Sequence, residues 1–265
     1  MAIPMSNDRG EWAAIGDVRS FVAKPSGAPP WPAILIIHAV IGIDEHIEQL
    51  TQGFAAEGYY AVTPDIYAND PGYKHHRHEH IEMAAHIGAD SEKLKAELAH
   101  HPEATRAAVM KAREWMSARP GHTYIETIRA AFDHLHGRSD IRAIGAIGFC
   151  MGGRLVGELA ATGAEMAAGV IHYGGPPKLD QIPKIVTPLE GHYASTDTPI
   201  TSKIPAFAAA MKAAGKEFSY YVYEADHGFT LRGTKFPEAA RLALSRSKAF
   251  LAARLHPVAL ARAAE

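Results

Sequence analysis

The stretch Ala146-Ile147-Gly148-Phe149-Cys150-Met151-Gly152-Gly153 decides how this chain is read. Upstream, Ile141 to Phe149 is an apolar run of strand character, and downstream Arg154 to Ala161 suits a helix. The pattern is strand, sharp turn, helix, with Cys150 at the apex of Gly-x-Cys-x-Gly, the cysteine form of a nucleophile elbow. Glycine is needed on both sides because strand and helix pass too close for side chains, and because the apex backbone is strained. Such a turn holds a sulfur over the first helical amides, whose partial positive charge suits an anion. The same residues would also suit a buried structural cysteine beside an ordinary glycine turn.

Working outward, the elbow is one of several strand–loop–helix units. Asp17 to Ala23 alternates like an outer antiparallel strand, and Ala33 to His38 is an unbroken apolar run suited to a strand buried on both faces. Asp44 is placed to cap a helix reaching Gly58, and Tyr59 to Thr63 is a further strand. Thr123 to His136 has helical apolar spacing. Beyond the elbow come strands at Ala167 to Tyr173, within Val186 to Tyr193, and at Glu217 to Tyr223, with helices at Pro205 to Ala214 and Pro237 to Arg254. Strands alternating with helices predict an α/β fold, a mostly parallel central sheet covered by helices on both faces. Between about residues 68 and 122 the pattern changes to helices, Ser91 to His100 and Pro102 to Ser117, which reads as an insertion in a single domain spanning residues 1–265.

Composition narrows the function classes. A net charge of −2 and a pI near 6.8 give no sign of a nucleic-acid or membrane partner. The N-terminal segment lacks an apolar core of signal-peptide length, and no uninterrupted apolar stretch is long enough to span a bilayer. One cysteine excludes an intramolecular disulfide and fits a reducing compartment, so a cytoplasmic location is expected.

Ligands of such sheets bind at the carboxyl ends of the strands. Three groups follow predicted strands there, Cys150, Asp197 and His227, in the chain order nucleophile, acid, histidine. A thiol is mostly protonated near neutral pH, so a partner imidazole must take or hold its proton. Asp197 would fix the imidazole tautomer, and the amides of Met151 and Val40 are the candidate donors to a developing oxyanion. Taken singly, Asp197 in Ser-Thr-Asp-Thr-Pro also suits a plain turn, and His227 a loop or a helix cap.

With these residues in hand, the chain resembles the dienelactone hydrolase (carboxymethylenebutenolidase) family of α/β-hydrolases. The resemblance is carried by Pro32 to Asp44, Tyr60 to Tyr67, Gly148-Phe149-Cys150-Met151-Gly152-Gly153, Val170 to Gly175, Gly191 to Asp197 and Tyr221 to Phe229. It implies an α/β-hydrolase fold, a Cys150–His227–Asp197 triad, and hydrolysis of small esters or lactones through a thioester, with neither cofactor nor metal. Where the family commonly has a glutamate after the first buried strand, this chain has Ala39. Arg232, five residues past His227, is a candidate for a substrate-carboxylate arginine and equally suits an exposed loop arginine. His75, His76, His78, His80 and His86 cluster with Glu79 and Glu82 but complete no metal motif, and read as a solvated part of the insertion or as a lid over the pocket. Two alternatives stand beside the hydrolase: a thiol-dependent acyl transferase, and a small-molecule binding protein on an altered scaffold, the latter motivated by Ala39.

Overall fold

The computed structural model describes residues 10–87, 96–118, 122–231 and 235–256. At its centre β3 (Trp31–Ile37) pairs in parallel with β5 (Ile141–Phe149). Around that pair an eight-stranded sheet is completed by β1 (Glu11–Ile15), β2 (Val18–Ala23), β4 (Tyr60–Pro64), β6 (Ala168–His172), β7 (Leu189–Ala194) and β8 (Phe218–Tyr223). The order is β1–β2–β4–β3–β5–β6–β7–β8, with β2 antiparallel to both of its neighbours and every other pair parallel.

Residues 33–37 of β3 are fully buried, and their side chains alternate between two cores. Leu35 and Ile37 pack on one face against α4 (His122–His136) and α5 (Met151–Ala161) through Ile128, Phe132, Leu155 and Leu159. Ile34 and Ile36 pack on the other face against α1 (Glu45–Ala56) and α8 (Pro237–Leu255) through Phe54, Phe250 and Leu251. Burial of each such aliphatic side chain is worth about 1.5–3 kcal/mol, so two-sided burial explains why these strands read as unbroken apolar runs. The expected cap of α1 is present: the Asp44 carboxylate accepts from the Ile47 amide at 3.0 Å.

The chain leaves β3 toward β4 on one side and later returns to β5 on the other. The sheet therefore changes direction between β3 and β5, and the loops after these two strands face each other over a crevice. The insertion closes over that crevice with a 3₁₀ turn (Tyr73–His75), α2 (His78–Ile87) and α3 (Glu103–Ser117). Ile81, Ala84, Leu98, Val109 and Ala112 form a third core with Ala39 and Ile41 of the loop after β3.

Three elements differ from the sequence reading. β1 forms as the outer strand of a hairpin turning at Gly16 (φ +59°), and its largely exposed residues gave no apolar period. A helix, α2, runs through the histidine-rich stretch, where polar residues mask the buried Ile81 and Ala84. Asp197 opens a short helix, α6 (Thr198–Thr201), ahead of α7 (Ile204–Ala213). The first five residues of the helix expected at Ser91 to His100 lie outside the described residues; residues 96–98 are helical. No helix among the described residues is long and apolar enough to cross a membrane.

Candidate active site

Cys150 sits between β5 and α5 with φ +56° and ψ −116°, a backbone state that costs a non-glycine residue about 1–3 kcal/mol. The surroundings hold it there. Its amide donates to the His172 carbonyl at 2.9 Å and its carbonyl accepts from the Arg154 amide at 3.1 Å. A Cβ at Gly148 would lie 2.2 Å from the Gly152 carbonyl oxygen, and one at Gly152 would lie 2.1 Å from the Ile37 carbonyl oxygen. The glycines of the motif are thus required by close backbone approach, as the sequence pattern implied. Cys150 is half-buried, packed beside two of the cores and lining the cavity.

β7 and β8 deliver the other two groups. Ser195 donates its amide to Tyr223 at 2.9 Å, and the Thr196 hydroxyl donates to the Ala225 carbonyl at 3.0 Å, so the loops after the two strands are laced together. Across that lacing His227 Nδ1 lies 2.6 Å from Asp197 Oδ2. A carboxylate only accepts, so Nδ1 carries the proton and Nε2 is the ring atom left for Cys150, which lines the same cavity. Burial opposes charging of this imidazole. The hydrogen bonds to Asp197 and Cys150 and their negative charges outweigh it, and the His227 pKa is pushed up to about 10. Asp226, next in sequence to His227, faces elsewhere and takes the Thr196 hydroxyl at 2.9 Å and the Lys235 ammonium.

Val40 and Met151 both line the cavity that holds Cys150. Tyr67 and Tyr73, whose part the sequence reading missed, hold the loop that carries Val40: their hydroxyls donate to the carbonyls of Val40 and Ile41, each at 2.9 Å. Behind His227, the Thr230 hydroxyl bridges the Tyr173 hydroxyl at 2.9 Å and His172 Nδ1 at 3.3 Å. Tyr173 is itself at φ +40°, with its ring edge-on to His227 at 5.0 Å. The bridge continues through His172 Nε2 to Ser247 of α8 at 2.9 Å, and from Ser247 to His192 Nε2 at 3.0 Å. Burial holds His172 well below the usual histidine range, helped by the neighbouring His192, and burial also lowers His192. Both rings are neutral struts. No local signal in the sequence marks these contacts, because they join strand ends, a loop and a helix up to 75 residues apart.

The cavity over Cys150 is about 980 Å³, and Glu82, Ala85, Trp115 and Met116 of the insertion contribute to its wall. Ala39 lies in the apolar core beside Cys150, so no carboxylate enters the site from position 39. Arg232 lies outside the described residues. Among the described residues no group of three or more histidine, cysteine or carboxylate side chains is arranged to hold a metal ion, the histidine-rich stretch included.

A parallel sheet wound on both sides, an elbow at its carboxyl edge, and an acid and a histidine on the next loops define the α/β-hydrolase class. The chain belongs to the dienelactone hydrolase family, whose profile matches residues 18–255, and so to the lactone and ester hydrolases. Over 243 residues it is 28% identical to the protein named "Putative carboxymethylenebutenolidase" of Saccharolobus solfataricus, spanning 88% of this chain and 93% of that one. Its fold is similar to the crystal structure of a "Putative Dienelactone Hydrolase" from Klebsiella pneumoniae (TM-score 0.69, 23% identity, 92% and 98% of the two chains). It is also similar to the "Dienelactone Hydrolase-like" phosphotriesterase P91 from metagenomic libraries (TM-score 0.66, 16% identity, 93% and 97% covered).

Proposed function

We propose that this protein is a cysteine-dependent hydrolase of small esters or lactones, with Cys150 as nucleophile, His227 as acid and base, and Asp197 orienting the imidazole. The observation that carries this reading is a single imidazole held by a carboxylate at 2.6 Å and sharing one cavity with Cys150. The raised pKa of His227 keeps the ring protonated at neutral pH, with a proton ready for the leaving group. The thiolate attacks the carbonyl carbon and a C–S bond forms. The electron pair moved onto oxygen is met by the Val40 and Met151 amides, which cost no reorganisation because the loop is already pinned by Tyr67. Collapse expels the alkoxide, and His227 gives it the proton. His227, now neutral, takes a proton from water, whose oxygen attacks the thioester carbon; the C–S bond breaks and the acid leaves. In a lactone both products are one hydroxy acid. Position 39 supplies no carboxylate, and His227 is the group assigned to both proton transfers.

Cys150→Ala, assayed on 4-nitrophenyl acetate and a δ-lactone, tests this. Turnover is expected to fall to background while the melting temperature rises or stays level, since alanine keeps the backbone bonds that hold the turn. Full activity in that variant would falsify the mechanism.

A further inference from the structure

The last strand leaves the sheet with an open edge. β8 pairs with β7 in unbroken register from Leu189 opposite Phe218 to Ala194 opposite Tyr223, and among the described residues no strand pairs with its other side. The carbonyls of Glu217 and Tyr223 accept from the Leu189 and Ser195 amides, so the odd-numbered positions bond to β7. By the alternation of a strand, Phe218, Tyr220 and Val222 turn their amides and carbonyls outward. Natural edges are protected by lysine, proline, an inward charge or a bulge. β8 reads Phe-Ser-Tyr-Tyr-Val-Tyr and carries none of these.

The side chains along that edge are apolar and uncovered. Tyr220 is 37% exposed and Val222 48%. They extend an aromatic row that begins in the core: Phe207 of α7 stands edge-on to Phe218 at 4.8 Å, and Phe218 stacks on Tyr220 at 5.8 Å.

The edge is also complementary to itself. In an antiparallel pair, residues that exchange both hydrogen bonds lie directly opposite each other. A second copy turned about a twofold axis at Tyr220 sets Tyr220 against its own copy, and Phe218 against Val222 on either side. All three pairs are then made of outward-facing residues, and Val222 of each copy covers Phe218 of the other. The same register brings Lys216 level with Glu224 at both ends, opposite charges on the face that carries the aromatic row. Neither of these two is in an ion pair among the described residues. A register moved by two residues loses one bonded pair and sets the charges apart.

We propose that the protein self-associates as a twofold dimer through β8, with Tyr220 on the axis and the two sheets joined into one. The contact is isologous, so it closes at two copies.

The test is sedimentation equilibrium on the full chain, with crosslinking to fix the register. The wild-type mass is expected at twice the 28.6 kDa of one chain. Glu224→Lys sets like charges together and is expected to raise the dimer Kd at least tenfold; adding Lys216→Glu is expected to bring it back within about threefold of wild type. Val222→Pro removes an outward amide without touching the ladder to β7, and is expected to leave a folded monomer by circular dichroism. In a Cys150→Ala background, Tyr220→Cys is expected to be joined to its own copy by the short crosslinker dibromobimane. Glu224→Cys, about 27 Å from its copy in this register, is not. A single-chain mass throughout a series reaching hundreds of micromolar overturns the proposal. So does a dimer that withstands Glu224→Lys and leaves Tyr220→Cys uncrosslinked, since its interface lies elsewhere. The wild-type mass needs no variant to fold.

Discussion

Asp197→Asn probes the polar axis of the site with the least change of shape. In the wild type the carboxylate accepts from His227 Nδ1 at 2.6 Å, and Asp197 is largely buried while the imidazole is 37% exposed. A charge-assisted bond of this kind is worth roughly 1.5–3 kcal/mol, and solvent around the imidazole places it at the lower end. About 1.4 kcal/mol corresponds to one pKa unit. The His227 pKa, pushed up to about 10 by Asp197 and Cys150 against the effect of burial, should therefore fall by roughly one unit in the variant. The alkaline limb of kcat/KM against pH, which reports loss of the His227 proton in the free protein, should move down by the same amount. An asparagine amide can also present its N–H₂ to Nδ1 and stabilise the wrong tautomer, so kcat at neutral pH should drop by about two orders of magnitude. The assay is a pH series from 6 to 11 on one aryl ester with wild type and variant side by side. An unmoved alkaline limb with kcat within a few fold of wild type would show that Asp197 does not govern the imidazole.

Further expectations follow from the same geometry. Thr230→Val leaves the buried Tyr173 hydroxyl and His172 Nδ1 without their shared partner, which should cost about 1–3 kcal/mol in thermal unfolding and lower kcat more than it changes KM; Thr230→Ser should restore both. Gly152→Ala drives a methyl to 2.1 Å from the Ile37 carbonyl oxygen, and should destabilise by about 3 kcal/mol or more in urea unfolding or leave no folded protein. His172 and His192 are held neutral by burial, so the unfolded chain binds protons near pH 6.5 that the folded one refuses; stability should fall as pH drops below about 6.5. His227 has the opposite sign: its contribution is complete below pH 6.5 and is lost as pH climbs toward 10, so it adds no slope on the acid side. A melting curve flat from pH 7 to pH 5 would contradict the two neutral struts.

The parts of this site legible in the sequence are those set by local sterics and local period. β5 and the glycines around Cys150 could be read because a two-face-buried strand is continuously apolar and the turn tolerates no side chain at 148 or 152. The positions of Asp197 and His227 followed from topology, since β7 and β8 are parallel neighbours whose carboxyl ends must lie together. Val40 could be named because it follows the apolar run of β3, where a second donor is expected, and it lines the cavity over Cys150. What escaped depends on contacts between distant segments. Trp115 meets Asp70 across 45 residues and Tyr67 reaches Val40 across 27, and neither residue type announces its partner. The strut through Thr230, His172 and Ser247 uses short polar side chains that look like surface residues until the three elements are packed. α2 was hidden for a compositional reason: its buried Ile81 and Ala84 are outnumbered by histidine and glutamate.

Acid-quenched mass spectrometry during turnover of an aryl acetate reads the chemistry at its central atom. The expected result is an acetyl group on the one peptide that contains Cys150, present during wild-type turnover and absent in Cys150→Ala. Steady turnover with that peptide unmodified and the acetyl group carried elsewhere would contradict it.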